Sequence, residues 1–397
     1  MGTALNYGVC HNTMSDNGSD KINVVNTLFL VLTPIASILG LWWHATAYGV
    51  TWVEPVLFVI WYFACGLSIT VGYHRLFSHR SHEASWPLRL FYALFGAGAF
   101  ENSALNWCAD HRLHHRHTDT PEDPYSASRG FWWSHILWVM IDEGGERVHD
   151  LSQVKDLQQD PILRFQHRFY LVIAVGVGMF LPALIGGLIA GVPGAVGGFV
   201  WAGLARTVFT HHGTFLINSA AHIWGTQPYG DANSSKDSPI LAFLTFGEGY
   251  HNFHHTFQSD YRNGHRWYHF DPSKWWIKAF SLIGLKKGLK STPDWHIEDK
   301  RRQASFESAA IAAGTDETRD LTGIQERMKN ARSNFKRQSR ALDKLLVERH
   351  GARKERQAAR RQELEDAIAK LSDDIAAIRT EFAQIMNDLT LGKPMMA

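Results

Sequence analysis

Four stretches of this chain are apolar over the length a helix needs to cross a bilayer, about twenty residues at 1.5 Å each. They come in two pairs, 27–48 with 52–73 and 170–190 with 194–215, and the links within each pair are only a few residues long. Backbone polar groups find no water in hydrocarbon, so continuous runs of this kind fold as helices. A fifth run, Leu88 to Phe100, is too short to span and contains Gly96 and Gly98; it reads as an interfacial or protein-covered helix. The links at 49–51 and 191–193 carry no Lys or Arg, whereas the segment from His74 to Arg168 and everything after Asp231 carry many. By the positive-inside rule, both termini and the long polar segments face the cytoplasm. Trp42, Trp43, Trp52 and Trp61 suit lipid-facing or interfacial positions. Arg206, inside the fourth span, is expected to face a polar cavity or a carboxylate.

The polar segments hold histidines at repeated spacings. Asp110-His111-Arg112-Leu113-His114-His115 places three at i, i+3 and i+4, within one helical turn and on one face. The spacing recurs in His251-Asn252-Phe253-His254-His255, and His74 and His79 follow the second span. Such nitrogen ligands suit iron, zinc and copper alike. Eight clustered imidazoles exceed the roughly six ligands of one ion and so imply two ions. His74 and His79 are five apart, roughly 140° round an α-helix; both reach a metal only if the helix frays or ends there.

Composition narrows the chemistry. Hydrophobic residues make up 45% of the chain, yet the mean hydropathy is −0.19, because apolar and charged residues are segregated along it. The net charge of +2 gives no case for nucleic-acid binding. Cys10, Cys65 and Cys108 stand at no metal-ligand spacing, and so sparse a set fits a reducing compartment without a disulfide framework. Any metal is then held by nitrogen and oxygen. A dinuclear zinc hydrolase would bring bridging or terminal carboxylates. Here imidazole dominates and the clusters abut apolar spans, which favours iron. Oxidising an unactivated methylene needs an O2-derived oxidant on iron or copper. The full pattern of ferritin-like di-iron bundles, a Glu from each of two helices and a Glu-x-x-His from each of two others, does not account for these imidazole-rich clusters. The N-terminus stays polar to Lys21, which does not read as a signal peptide.

Beyond residue 290 the character changes. Residues 291–320 read as a linker, small and polar from Ser305 onward. Apolar residues then recur at steps of three and four from Leu321 to Leu345 and again from Leu364 to Leu389. Both series are coiled-coil seams, in different registers, so two arms of a hairpin or one interrupted helix fit equally. The run Lys274 to Leu285 predicts a helix closing the preceding domain.

Five stretches, in order, are similar to one family. They are Gly72-Tyr73-His74-Arg75-Leu76-Phe77-Ser78-His79-Arg80, Asp110-His111-Arg112-Leu113-His114-His115, Arg129-Gly130-Phe131-Trp132-Trp133-Ser134-His135, Asn218-Ser219-Ala220-Ala221-His222, and Gly247-Glu248-Gly249-Tyr250-His251-Asn252-Phe253-His254-His255. The chain resembles the integral-membrane fatty-acid desaturases, specifically acyl-CoA desaturases of the stearoyl-CoA (delta-9) type. The resemblance implies two iron ions held by His74, His79, His111, His114, His115, His222, His251, His254 and His255, with Asn218 positioning a water. It implies a bent acyl tunnel, O2-dependent formation of a cis double bond, and electrons from a cytochrome b5 or a ferredoxin with its reductase. Asp110 and Arg129 match positions for substrate contact. Ala109 stands where animal members carry Arg, which bears on the acyl carrier: CoA, carrier protein or lipid. Histidines outside these clusters read as ordinary satisfied polar residues; His135 and His269 are the two among them best suited to orient ligands or substrate. A membrane hydroxylase shares the histidine-rich plan, and a metal transporter would line its spans with polar residues, which these lack.

The expected protein is therefore all-α: a polar segment 1–24, a membrane domain 25–290 with four transmembrane helices and a cytoplasmic di-iron site, the linker, and a helical coiled-coil tail 321–391. The tail is expected to form an oligomer.

Overall fold

The computed structural model describes residues 20–143, 149–314, 321–354 and 358–391. Most of the expected N-terminal segment and the end of the expected linker lie outside these residues. Helix α1 (Val24–Tyr48) starts at Asn23, whose side chain accepts from the Asn26 N–H, and ends at Gly49. Helix α2 (Val53–Leu67) opens with Thr51 and Glu54: the Glu54 carboxylate accepts from both the N–H and the hydroxyl of Thr51, and the Thr51 hydroxyl oxygen accepts from the Val53 N–H. Only 11% of the most apolar window of α1 is buried, against 61% for α2 and its continuation. Helix α2 is thus the central post, and α1 leaves the side chains of Val25, Ile38 and Leu39 exposed. Trp42, Trp43 and Trp52 are exposed as expected. Trp61 is not: it is buried and donates to the Val177 carbonyl at 2.8 Å.

Beyond Leu67 the helix does not fray. It widens into a π-helical stretch, Ser68–Ser78, in which the His79 N–H donates to the His74 carbonyl at 3.1 Å, five residues back. Each turn of a π-helix takes in an extra residue. Five residues then come close to one turn, and His74 and His79 share a face with ring centroids 4.8 Å apart. Of the two expected alternatives, fraying or ending, the helix ends at His79, and a change of pitch over its last turns aligns the two rings.

Helix α3 (Trp86–Ala97), the short apolar run, is covered by protein: Leu88, Tyr92 and Ala93 join the core around Trp61 and Tyr73. Helix α4 (Ala104–His117) begins at Ser103, whose hydroxyl accepts from the Asn106 N–H. Helix α5 (Pro161–Arg168) leads to α6, a 54-residue apolar stretch Tyr170–Ile223. Straight, α6 would reach about 80 Å, far beyond a bilayer. It breaks at Ala190 and Gly191, where Gly191 adopts φ 63 and ψ −150. Its arms fold back on each other: a Cβ at Gly186 would lie 2.0 Å from the Gly194 carbonyl oxygen, and one at Gly198 would lie 2.2 Å from that of Pro182. Among the described residues three stretches are long and apolar enough to cross a membrane, and the third is this hairpin.

Arg206, expected to meet a cavity or a carboxylate, is fully buried and donates to three carbonyls, those of Ala202, Gly98 and Gly178. It ties the second arm to the first and to the end of α3. Two short antiparallel pairs close the domain: β1 (Lys21–Ile22) with β3 (Ile141–Asp142), and β2 (Glu83–Ala84) with β4 (Lys286–Lys287). Helix α7 (His251–Thr256) carries the last histidine cluster, and helix α8 (Pro272–Leu282) packs where the closing helix was expected.

The linker expectation is overturned over Asp294–Gly314, which is helix α9. Its small residues are largely alanines, the best helix formers. Helices α10 (Thr322–Lys354) and α11 (Ala358–Leu391) run antiparallel, with Phe335 against Phe382 and Arg327 paired to Asp388 at 2.8 Å. Helix α9 lies along both, through Asp299 with Arg332 and Glu298 with Arg379. Of the two tail arrangements the sequence allows, the structure has the folded-back one, with α9 as a third member.

Candidate metal centre

The nine histidines converge. The ligand nitrogens of His74, His79, His111, His115 and His254 form one group, and those of His114, His222, His251 and His255 form a second; within each group all lie within 4.8 Å of one another. The i, i+3, i+4 spacing does more than share a face. In α4, His111 and His115 serve the first group while His114 serves the second. In α7 the roles reverse: His251 and His255 serve the second and His254 the first. Each helix therefore reaches both groups, and the groups adjoin, with the His115 and His255 rings stacked at 4.3 Å. His222 sits one turn past Ser219, where α6 departs from helical geometry at φ −105 and ψ −74.

Hydrogen bonds at the outer nitrogens orient the rings. His114 Nδ1 donates to Asp123 Oδ1 at 2.9 Å, and His74 Nδ1 lies 2.8 Å from Glu248 Oε2. Ser234 donates its hydroxyl proton to Asp119, so its oxygen accepts from His222 Nδ1 at 2.8 Å. Acceptors at Nδ1 leave the lone pair on Nε2, aimed inward. There, facing Nε2 atoms are 3.0 Å apart for His74 and His254, 2.9 Å for His79 and His111, 3.0 Å for His254 and His115, and 3.0 Å for His251 and His222. Where both rings of a pair present lone pairs, this spacing calls for a cation between them; where one ring keeps its Nε2–H, the pair is a hydrogen bond. Two imidazole nitrogens about 2.1 Å from a metal and at right angles are about 3.0 Å apart; tetrahedral angles would set them at about 3.4 Å. The spacing fits ions of higher coordination number than structural zinc. Burial, reinforced by neighbouring imidazoles and cations, pushes His79, His111, His115, His251, His254 and His255 well below the ordinary imidazole range. Neutral imidazole is the form that binds metal.

Glu248 is itself clamped. Burial raises its carboxyl, but Arg75 and His74 outweigh this and hold it below the usual range. Arg75 donates to Glu248 Oε1 from Nε at 3.0 Å and to Asp271 Oδ2 at 3.1 Å. Asn263 donates to the other Glu248 oxygen at 2.6 Å. Glu248 lies in a stretch the sequence singled out, but its role follows only from this geometry; its place three residues before His251 is the available signal. Tyr125, 3.2 Å from His111 Nδ1, and Ser234 carried no signal.

The cage opens onto a cavity of about 390 Å³ that reaches toward the membrane helices. Phe29, Leu30, Ile69, Phe100 and Leu171 supply its apolar wall, and His74, His111, His114, His251 and Asn218 line its inner end. Trp107 and Thr214 donate to opposite oxygens of Glu101, at 3.2 and 2.8 Å, inside the cavity. Burial lifts that carboxyl to about 7 against the pull of those bonds.

Asp110 lines the cavity too, accepting from His149 Nδ1 at 2.9 Å. Arg129 does not line the cavity. It pairs with Glu143 on the surface, its guanidinium 3.2 Å from the centre of the Trp133 ring. His135 bonds Ser219, next to Asn218, at 3.0 Å, and His269 stacks on Tyr250 at 4.4 Å.

Comparison with known proteins agrees with this geometry. A probable acyl-CoA desaturase of Schizosaccharomyces pombe is 47% identical over 246 residues, 62% of this chain and 51% of that protein. Acyl-CoA desaturase 1 of Saccharomyces cerevisiae is 46% identical over 244 residues, 61% of this chain and 47% of its own length. The chain thus spans about half the length of these yeast relatives. Human stearoyl-CoA desaturase 5 is 34% identical over 259 residues, 64% of this chain and 78% of that protein. Residues 51–282 match the sequence model of the fatty acid desaturases, and they enclose every histidine of the two groups. The chain belongs to the fatty acid desaturase family.

Proposed function

We propose that this chain is an O2-dependent acyl-CoA desaturase that introduces a cis double bond, at the delta-9 position, into a saturated acyl chain. One observation carries the reading: two adjoining groups of inward-facing imidazoles at the inner end of a largely apolar cavity. A pair of irons held there supplies the oxidising power to take hydrogen from an unactivated methylene. The five-histidine and four-histidine groups are the ligand sets, and Asn218 holds a water beside the second. Glu248, Asp123 and the Ser234–Asp119 pair keep the rings in register. The cavity wall orients the hydrocarbon and excludes water from its reacting carbons. The chain crosses the bilayer four times, through α1, α2 and the two arms of α6. Both termini and the metal centre face the cytoplasm, in keeping with the distribution of Lys and Arg. Electrons come from a separate carrier such as a cytochrome b5 or a ferredoxin.

A second reading concerns the carrier of the acyl group. An sn-1 stearoyl-lipid 9-desaturase of Anabaena variabilis is 32% identical over 280 residues, 97% of that protein, and Ala109 leaves the position beside Asp110 without a cation. A lipid-linked substrate fits both facts. Expression in a host lacking unsaturated fatty acids, followed by mapping of double bonds in its lipids, tests the proposal. Delta-9 monounsaturated chains are expected; hydroxylated chains, or no new product, would overturn it. Purified protein given stearoyl-CoA or stearoyl-lipid distinguishes the carriers.

A further inference from the structure

Helix α7 has a second face. At about 100° per residue, His251, His254 and His255 cluster on one side and Phe253 points away from them. There Phe253 is completely buried, its ring stacked on His265 at 4.9 Å and meeting Tyr229 edge-on at 5.5 Å. Tyr229 and His265 also line a cleft of about 810 Å³ between the membrane domain and the tail. The cleft shares no residue with the acyl cavity.

Four arginines line it: Arg262 and Arg266 from the membrane domain, Arg301 and Arg302 from α9. The carboxylates among its lining residues are Asp294 and Glu298. Arg262 is paired with Asp260 and Arg302 with Glu298. Arg266 and Arg301 are exposed and make no ion pair among the described residues. Trp267 and Tyr268 also line the cleft, 87% and 59% exposed. Exposed aromatics interleaved with arginine mark surfaces that bind other proteins, and the excess of positive charge selects an acidic one.

Resting on the desaturase reading, we infer that this cleft docks an acidic one-electron carrier protein, with the His265–Phe253 ring pair lying between the carrier and the histidine cage. The stoichiometry requires such a visitor. Each turnover removes two hydrogens from the acyl chain and reduces one O2 to two waters. The remaining two electrons come from two reduced carriers, each oxidised by one electron, and two protons come from solvent. The carrier supplies an acidic rim around its redox group. Arg266 and Arg301 steer it, and Trp267 and Tyr268 are covered on docking.

The test uses the full-length protein in detergent and the soluble haem domain of a cytochrome b5 as the probe. Affinity is read by titration at low and high salt. R266E/R301E is expected to weaken binding by about tenfold or more and to flatten its salt dependence. Metal content should stay at the wild-type level, and so should the single turnover that follows anaerobic reduction by dithionite, removal of the excess reductant and admission of O2. R266Q/R301Q should show a smaller loss in the same direction and covers the case in which the reversed variant folds poorly. Affinity within twofold of wild type for both variants would overturn the inference. A wild-type protein that forms no double bond even in that single turnover would instead sink the desaturase reading, while the docking measurement stays readable.

Discussion

His114 and His115 are neighbours in the chain but belong to different groups, and that division sets what single substitutions do. His114→Ala removes one of four ligands from the second group and none from the first. Metal analysis should find iron falling toward about one ion per chain, with loss of unsaturation and normal membrane insertion. Full desaturation by this variant would show that the cluster is not the centre. Glu248→Gln keeps the shape but weakens the acceptor for His74 and the partner for Arg75. Metal affinity should fall about 10–100-fold, read by competition with a chelator. Glu101 makes a prediction about pH. Its carboxyl titrates near 7 in the fold, above the ordinary value of 4.5. The folded chain therefore keeps a proton that the unfolded chain has lost, and this group's contribution to stability declines as pH rises between those values. Above about 7 the cavity wall carries a negative charge beside the hydrocarbon. Acyl-CoA affinity should drop between pH 6 and 8 in the wild type and stay level in Glu101→Gln.

At the scale of elements, changes of helical geometry position the ligands. The π-helical end of α2 aligns His74 with His79, and the break at Ser219 lets His222 turn into the second group. The break at Gly191 folds α6 so that its arms touch backbone to backbone at Gly186 and Gly194. A branched side chain at Gly186 has no room there. Gly186→Val should destabilise the hairpin by about 1–3 kcal/mol, visible as a lower melting temperature in detergent. Exposed Leu188, on the same arm, should tolerate Ala without such a loss.

At the scale of the whole molecule, the two largest hydrophobic clusters among the described residues are separate. One surrounds Trp61, Tyr73 and Tyr92; the other lies in the tail, around Phe306, Phe335 and Phe382. Ile297, at the start of α9, packs instead with Tyr229 and Phe253 behind the metal centre. A chain ending after residue 300 keeps that contact and loses Arg301, Arg302 and the tail core. It should retain metal and single-turnover desaturation after reduction by dithionite but bind the cytochrome b5 haem domain weakly. Loss of metal from the truncated protein would give the tail a role in supporting the centre.

From the sequence alone the membrane stretches and the two His-x-x-His-His clusters are legible, because both are written in local terms: about twenty apolar residues in a row, and i, i+3, i+4 spacing on one helix; His222 enters only through the resemblance to a family. The closing helix after Pro272 follows from the same local periodicity. The partition of the histidines into five and four does not, because it depends on how α4 and α7 face each other. Tyr125 and Ser234 are invisible, and the role of Glu248 is undecided, for the same reason: a hydrogen bond to a ligand joins distant parts of the chain. Arg129 shows the converse, a residue placed by its motif but paired at the surface with Glu143. From Ser305 onward the small polar composition describes a linker and an alanine-rich helix equally, and only partners such as Arg332 and Arg379, paired with the preceding turns of α9, decide between them. Spacing along the chain selects which residues are able to bind metal; packing between helices decides which bind together.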